Sequence, residues 1–150
     1  MKKALFPVLV AVYALGVSGP TLAQDTADLA GTWTAKTNVL LISDGKVVEA
    51  EREYSFVIER VSGALIQGYR AWEAISPPDQ IGYVGEEQLT QAREPFIGVV
   101  SADNETIHMV ETEDRGSIMA RILGANQIEI IYTENAPHAV VHSAIYSRVD

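Results

Sequence analysis

The sequence predicts an all-β fold: a single antiparallel up-and-down β-barrel of about eight strands. Two observations predict it. Runs rich in Ile, Val, Tyr, Phe and Thr recur at near-regular intervals, and residues typical of tight turns separate them. Because such a ribbon exposes two sheet edges unless it closes or is covered, the N-terminal half is expected to complete the barrel.

The chain begins with the pattern of a bacterial secretory signal peptide. Lys2 and Lys3 precede a continuous apolar run over 4–17, and small residues follow up to Ala23. The run is shorter than the ~20 apolar residues of a membrane span, so we expect cleavage after Ala23 and no span in the mature chain. The expected organisation is a signal peptide at 1–23 and one β-barrel domain at 24–150, in a periplasmic or secreted protein.

The composition argues against several kinds of partner and site. The 150 residues include no cysteine, which removes disulfides, thiolate metal sites and a cysteine nucleophile. Without Lys2 and Lys3, 9 of the 11 basic residues remain against 20 acidic ones, a net charge of −11. Nucleic acid would be repelled by this charge, so we expect no nucleic-acid partner.

The first two strands are predicted on either side of a hairpin signal at 43–46. The segment 29–34 opens the domain and leads into the apolar run 39–42. After the turn, one face of the chain is apolar and the other is acidic. The apolar face carries Val48, Ala50, Tyr54, Phe56 and Ile58, and the acidic face carries Glu49, Glu51, Glu53, Ser55 and Glu59. This alternation indicates a strand with one face in the core and one in water.

Arg52 lies on the apolar face of that strand, where an unpaired charge is costly. It therefore needs a partner, a ligand or an exit to solvent. The hairpin through Ser62 and Gly63 leaves two registers open. A two-residue turn places Glu73 opposite Arg52 and predicts a salt bridge, whereas a three-residue turn places Trp72 opposite it and predicts a cation–π contact.

The segment 74–94 breaks the alternation. Prolines in 76–79 are incompatible with a ladder, 81–84 fits a short strand, and 86–93 fits two turns of helix. At about 20 residues the segment is longer than most connections. It is either a lid or contact surface, with Tyr83 as its most exposed large apolar group, or an insertion that caps one end of the sheet.

Five more strands are predicted after this segment. Each is rich in β-branched and aromatic residues and is bounded by Asn, Asp, Gly or Pro. They cover 96–101, 106–112, 117–123, 127–133 and 139–149.

Motifs at the two ends of the domain resemble those of the calycin-like barrels, the group that includes lipocalins, avidins and certain bacterial protease inhibitors. They are Gly31-Thr32-Trp33 in the first strand and Ser147-Arg148-Val149 in the last. The resemblance implies that Arg148 covers Trp33 and closes the narrow end of the barrel. Biotin binding is not implied, because the tryptophans of the avidin site are not matched beyond Trp72.

The sequence shows no recognised catalytic constellation, so we expect no enzyme, no cofactor and no metal. His138 and His142 have the spacing of zinc ligands on a helix, but on a strand they lie ~13 Å apart, too far for one ion. His108 is expected to face outwards, and all three histidines are interpreted as satisfied or solvent-facing. Glu73 and Glu129 are the carboxylates that we consider candidates for a buried acid.

These observations favour an exported binding module that holds a small apolar or amphipathic ligand in the barrel or at its mouth. The expected ligand contacts are Arg52, Tyr54, Phe56, Tyr69, Trp72 and Tyr83. The alternative is a protein-interaction module of the cell envelope. The resemblance to calycin-type inhibitors implies a protease as one such partner, bound through 24–29 and the loops.

Overall fold

The computed structural model describes residues 29–43, 45–75, 91–135 and 139–149, which form a closed eight-stranded barrel. The strands are β1 (Gly31–Ser43), β2 (Lys46–Ser62), β3 (Leu65–Ala74), β4 (Gln91–Val100), β5 (Thr106–Glu111), β6 (Gly116–Gly124), β7 (Gln127–Glu134) and β8 (Val140–Val149). Each strand pairs antiparallel with the next, and β1 pairs with β8 to close the sheet. The predicted all-β up-and-down barrel is confirmed.

Several predictions from the sequence fall outside the described residues, namely the signal peptide at 1–23, the short strand at 81–84 and most of the helical turns at 86–93. Residues 91–93 are described and belong to β4, so the helical interpretation is wrong there. They pair with 71–73 of β3, because the ladder satisfies their backbone hydrogen bonds. Within the four described ranges, no helix has the length and apolarity needed to cross a membrane.

Neither predicted register of the β2–β3 hairpin is correct. Arg52 pairs with Ala74, and Tyr54 pairs with Trp72. The turn consists of Gly63 and Ala64, with Gly63 in the left-handed region at φ 59°, where glycine carries no steric penalty. A β-bulge between residues 58 and 60 then shifts the ladder by one residue.

Side chains fill the middle of the barrel. Phe56, Ile107, Ile130, Tyr132 and Tyr146 are each 0 % exposed. A side chain that borders a void large enough for water would show some exposed area. None of these five side chains therefore borders such a void. The described residues therefore support binding at an end of the barrel rather than in its middle.

The end of the barrel where β1 begins and β8 ends is plugged by Trp33, which is 1 % exposed. Its indole Nε1 donates to the carbonyl of Leu29 at 3.2 Å. The Arg148 guanidinium lies 5.3 Å from the Trp33 ring and donates to the carbonyl of Ala30. The structure thus brings together the two residues that the calycin resemblance implied, and the pair links the first strand to the last.

Candidate binding site at the mouth of the barrel

The opposite end of the barrel, where β1 ends and β2 begins, is called the mouth here. Its inward-facing side chains divide into two unlike halves. Strands β1, β2 and β8 supply an apolar half, made of Val39, Leu41, Val48, Ala50 and Val140. Strands β3, β4, β5 and β7 supply a polar half, made of Arg70, Glu94, Glu111, Tyr132 and Glu134. Arg52, Trp72, Tyr54 and His142 lie between the two halves.

Arg70 is the centre of the polar half and is 1 % exposed. Its Nε donates to Glu111 Oε1 at 2.7 Å, and its Nη2 donates to Tyr132 Oη at 2.9 Å and to Glu94. The guanidinium also lies 4.0 Å from the centre of the Tyr132 ring. These contacts compensate the charge of Arg70 within the protein, as a buried cation requires.

Tyr132 and Gly116 fix the position of the Glu111 carboxylate. Tyr132 Oη lies 3.0 Å from Glu111 Oε2 and 2.9 Å from Glu134 Oε2. A phenol has a single proton, so it donates to one of these carboxyls at a time. A Cβ at Gly116 would lie 1.7 Å from Glu111 Oε2, so only glycine leaves room for the carboxylate in this position.

The polar half holds protons more tightly than isolated carboxyls do. Burial raises the pKa of Glu94 to about 8. A hydrogen bond with Glu111 and the negative charge of Glu111 also raise this pKa, whereas the positive charge of Arg70 lowers it. Burial also raises the pKa of Glu134. The main physical cause is loss of hydration, and the sharing of one guanidinium by Glu94 and Glu111 adds to it at Glu94.

We expect the free energy of unfolding to fall as the pH rises from 6.5 to 8. The native protein keeps on Glu94 a proton that the unfolded chain releases above the ordinary pKa of 4.5. Below pH 6.5 the buried, neutral His142 opposes this trend, because the unfolded chain protonates that residue there. The free energy of unfolding is expected to fall by about 1 kcal/mol over this range. This is less than the release of one whole proton from a fully buried group would give, because Glu94 is partly solvated.

Urea unfolding at pH 6.5, 7.2 and 8 measures this slope. Glu94→Gln is expected to flatten it, whereas Glu73→Gln, which changes an exposed carboxylate on the outer face, is expected to leave it unchanged. An equal slope in wild type and Glu94→Gln would show that Glu94 does not carry the proton.

His142 is buried rather than solvent-facing, at 4 % exposure. Its ring stacks between Tyr54 at 4.3 Å and Tyr132 at 5.3 Å, and Nε2 lies 3.1 Å from the hydroxyl of Tyr146. Burial lowers its pKa to about 3, and the charges of Arg70 and Arg52 act in the same direction. His142 is therefore neutral, and its Nδ1 has no hydrogen-bond partner.

Arg52 differs from Arg70 in lacking a compensating charge. It is 3 % exposed, and its guanidinium lies 3.9 Å from the centre of the Trp72 ring. This is the cation–π contact that the three-residue turn predicted. Arg52 and Trp72 contact each other diagonally across the ladder, because Arg52 pairs with Ala74 and Trp72 pairs with Tyr54. Within the described part of the chain Arg52 forms no ion pair, and its Nε has no hydrogen-bond partner.

The structure separates the predicted ligand contacts into three groups. Arg52, Tyr54 and Trp72 meet at the mouth, whereas Phe56 packs in the core against Phe96 and Tyr146. Tyr69 lies on the outer face, where the Arg93 guanidinium is 3.6 Å from its ring, so its predicted inward position is wrong. Tyr83 lies outside the described residues, as does His138.

The acidic candidates were also misplaced. Glu73 is exposed, and Glu129 pairs on the outer face with Arg121 at 2.7 Å. Among the described residues Glu111 is the buried acid, and Glu94 beside it is half-buried. The sequence signal for Glu111 was the alternation that begins at Ile107, because a period of two carries it to the same face as the core residues.

His108 is exposed on the outer face, as expected. It lies among apolar side chains in a groove of about 800 Å³ that crosses the outer face of β3 to β6. The exposed apolar side chains that line the groove are Leu65, Ile97, Val99, Val110 and Met119. The groove is separate from the mouth, because these residues alternate with inward-facing ones.

Comparison with known proteins assigns the chain to no family. No protein-family model matches the chain, and no curated protein matches it. Among solved structures, the chain is similar to a redesigned β-barrel at 9 % sequence identity, with a TM-score of 0.45. That similarity covers 83 % of this chain and 95 % of the designed one.

Proposed function

We propose that this chain is an exported, non-enzymatic binding module that holds a small amphipathic molecule at the mouth of its barrel. The observation that supports it most directly is Arg52, a buried guanidinium without an ion pair among the described residues. An uncompensated buried charge destabilises a protein by several kcal/mol. A ligand that supplies the missing group would recover part of that energy.

The division of the mouth into two halves supports an amphipathic ligand. The apolar half offers aliphatic side chains to an apolar body, and Arg52, whose Nε is buried without a hydrogen-bond partner, offers a positive charge to the other end.

The polar half supports binding rather than catalysis. Arg70, Glu94, Glu111 and Tyr132 are hydrogen-bonded to one another, so their polar groups are already used in holding the structure. A catalytic acid or base must reach a substrate proton. Export is proposed from the basic and apolar pattern of residues 1–23.

Native mass spectrometry of protein purified gently from a periplasm tests the proposal. We expect an additional mass that disappears on denaturation. Trp72→Leu removes the stacking surface beneath Arg52 and is expected to lower the occupancy about tenfold, on the scale of a lost aromatic contact of roughly 1.4 kcal/mol. Thermal unfolding of the variant establishes that it is folded.

Ile97→Ala is the matched control, because it removes an apolar side chain from the outer groove and leaves the mouth intact. Equal occupancy in wild type and Ile97→Ala supports the mouth as the site. An additional mass that persists in Trp72→Leu and disappears in Ile97→Ala would contradict the proposal.

The alternative is an interaction module, which the outer groove supports. Five exposed apolar side chains between 43 % and 64 % exposed lie together there, and monomeric proteins seldom leave large apolar patches uncovered. If this alternative holds, a defined protein is recovered from a periplasmic extract with wild type and lost with Ile97→Lys. The mouth variant Trp72→Leu is then expected to recover it normally.

A further inference from the structure

We infer that the polar end of the ligand is a singly charged planar anion, a carboxylate, that pairs with Arg52 at the mouth. This inference rests on the proposed function, since it names the ligand class of the same site. Three features of the described residues carry it: the charges at the mouth, the orientation of the Arg52 guanidinium, and the unpartnered atoms around it.

The two buried arginines at the mouth differ in charge compensation. Arg70 contacts Glu94 and Glu111, so its positive charge is balanced inside the protein. Arg52 has an aromatic ring, Trp72, and no carboxylate among the described residues. Arg52 is therefore a buried cation at the mouth that no carboxylate of the described residues contacts. A cationic ligand would be repelled, a neutral one would leave the charge unpaired, and a monoanion balances it.

The geometry of Arg52 favours two oxygen atoms in one plane. Trp72 covers one face of the guanidinium at 3.9 Å, so an approach to that face is blocked. The Nε–H group at the edge has no partner. The edge of a guanidinium presents parallel N–H groups at the spacing of the two oxygens of a carboxylate, which gives a bidentate contact.

The neighbouring polar atoms suit the same ligand. Burial raises the pKa of Tyr54, so its hydroxyl keeps a proton that it can donate to an anion. His142 stacks on Tyr54 at 4.3 Å and has an unpartnered Nδ1. A bound anion would favour the charged imidazole, which burial and the two arginines disfavour. Ligand binding is therefore expected to raise the pKa of His142.

Three probes with one apolar body separate the ligand classes: 1-naphthoate, its neutral isostere 1-naphthamide, and the cation 1-naphthylmethylammonium. Calorimetric titration of the full chain at pH 7 is expected to show that naphthoate binds at least about tenfold more tightly than either of the others, since a desolvated charge pair contributes about 1.4 kcal/mol or more. Equal affinities for naphthoate and naphthamide would overturn the inference while leaving the proposed function intact. Failure of all three probes to bind counts against the proposed function itself.

Arg52→Gln is expected to lower the affinity for naphthoate about tenfold or more and to leave that for naphthamide within about threefold. Arg93→Gln is the matched control, because Arg93 also stacks on an aromatic ring, Tyr69, but on the outer face. It is expected to change neither affinity. An equal loss of affinity for naphthoate and naphthamide in Arg52→Gln overturns the inference. If that variant does not fold, the comparison of the three probes on the wild-type protein decides between the ligand classes.

Discussion

Replacing Arg70 with methionine is expected to lower the free energy of unfolding by about 3 to 5 kcal/mol, the usual cost of breaking a buried ion pair. The Glu111 side chain is 0 % exposed, and its carboxylate lies 2.7 Å from Arg70 Nε. Without the guanidinium, the carboxyls of Glu94 and Glu111 face each other with no cation between them. Urea unfolding at pH 7, followed by tryptophan fluorescence, measures the loss.

Arg121→Met is the matched control, because it removes an arginine of the same length from an exposed pair. Arg121 and Glu129 are 64 % and 32 % exposed, and such a pair contributes less than ~1 kcal/mol. If Arg70→Met costs no more than Arg121→Met, the buried cluster does not stabilise the mouth. One further result follows from the proposed cause: adding Glu111→Gln to Arg70→Met recovers part of the loss, because it removes the carboxylate left without a cation.

The sequence predicts the fold well because the signals that specify it are local. Alternation with a period of two identifies each strand, and glycine or asparagine between strands identifies each turn. Gly45, at φ 73°, lies in the predicted first hairpin. The register of the second hairpin was predicted wrongly for two reasons: the turn is Gly63-Ala64 rather than Ser62-Gly63, which moves the pairing by two residues, and the β-bulge near Glu59 moves it back by one without any distinct sequence signal. A shift of one residue reverses the faces, which explains the wrong position of Tyr69.

The candidate site was predicted only in part, because its contacts depend on closure of the barrel. Arg52 stood out in the sequence as a charge on an apolar face. Arg70 lies 41 residues from Glu111 in sequence, and only the closed sheet places them together. Glu111 also adjoins the acidic turn at 113–114, a pattern that gives no sign of a buried carboxylate. Contacts between strands that are not neighbours cannot be obtained from alternation alone.

Replacing Gly68 with alanine is expected to lower the free energy of unfolding by about 3 kcal/mol or more, at the upper end of the usual cost of overpacking. A Cβ at this position would lie 1.9 Å from the carbonyl oxygen of Val57 and 2.9 Å from Phe96 Cζ. The nearer atom belongs to the backbone of β2, so no rotation of a side chain relieves the contact. Gly68 pairs with Ile58 next to the bulge, where the two strands approach closely.

Gly124→Ala is the control for this prediction, because nothing lies within 4 Å of a Cβ built there and Gly124 is also in a strand. Its effect is expected to stay within about 0.5 kcal/mol. Adding Phe96→Leu to Gly68→Ala separates the two causes. If the backbone contact dominates, the double variant remains as unstable as the sum of the two single variants. If the double variant recovers the stability of Phe96→Leu alone, the Phe96 ring limits this position, and β2 and β3 can separate by the required distance at little cost.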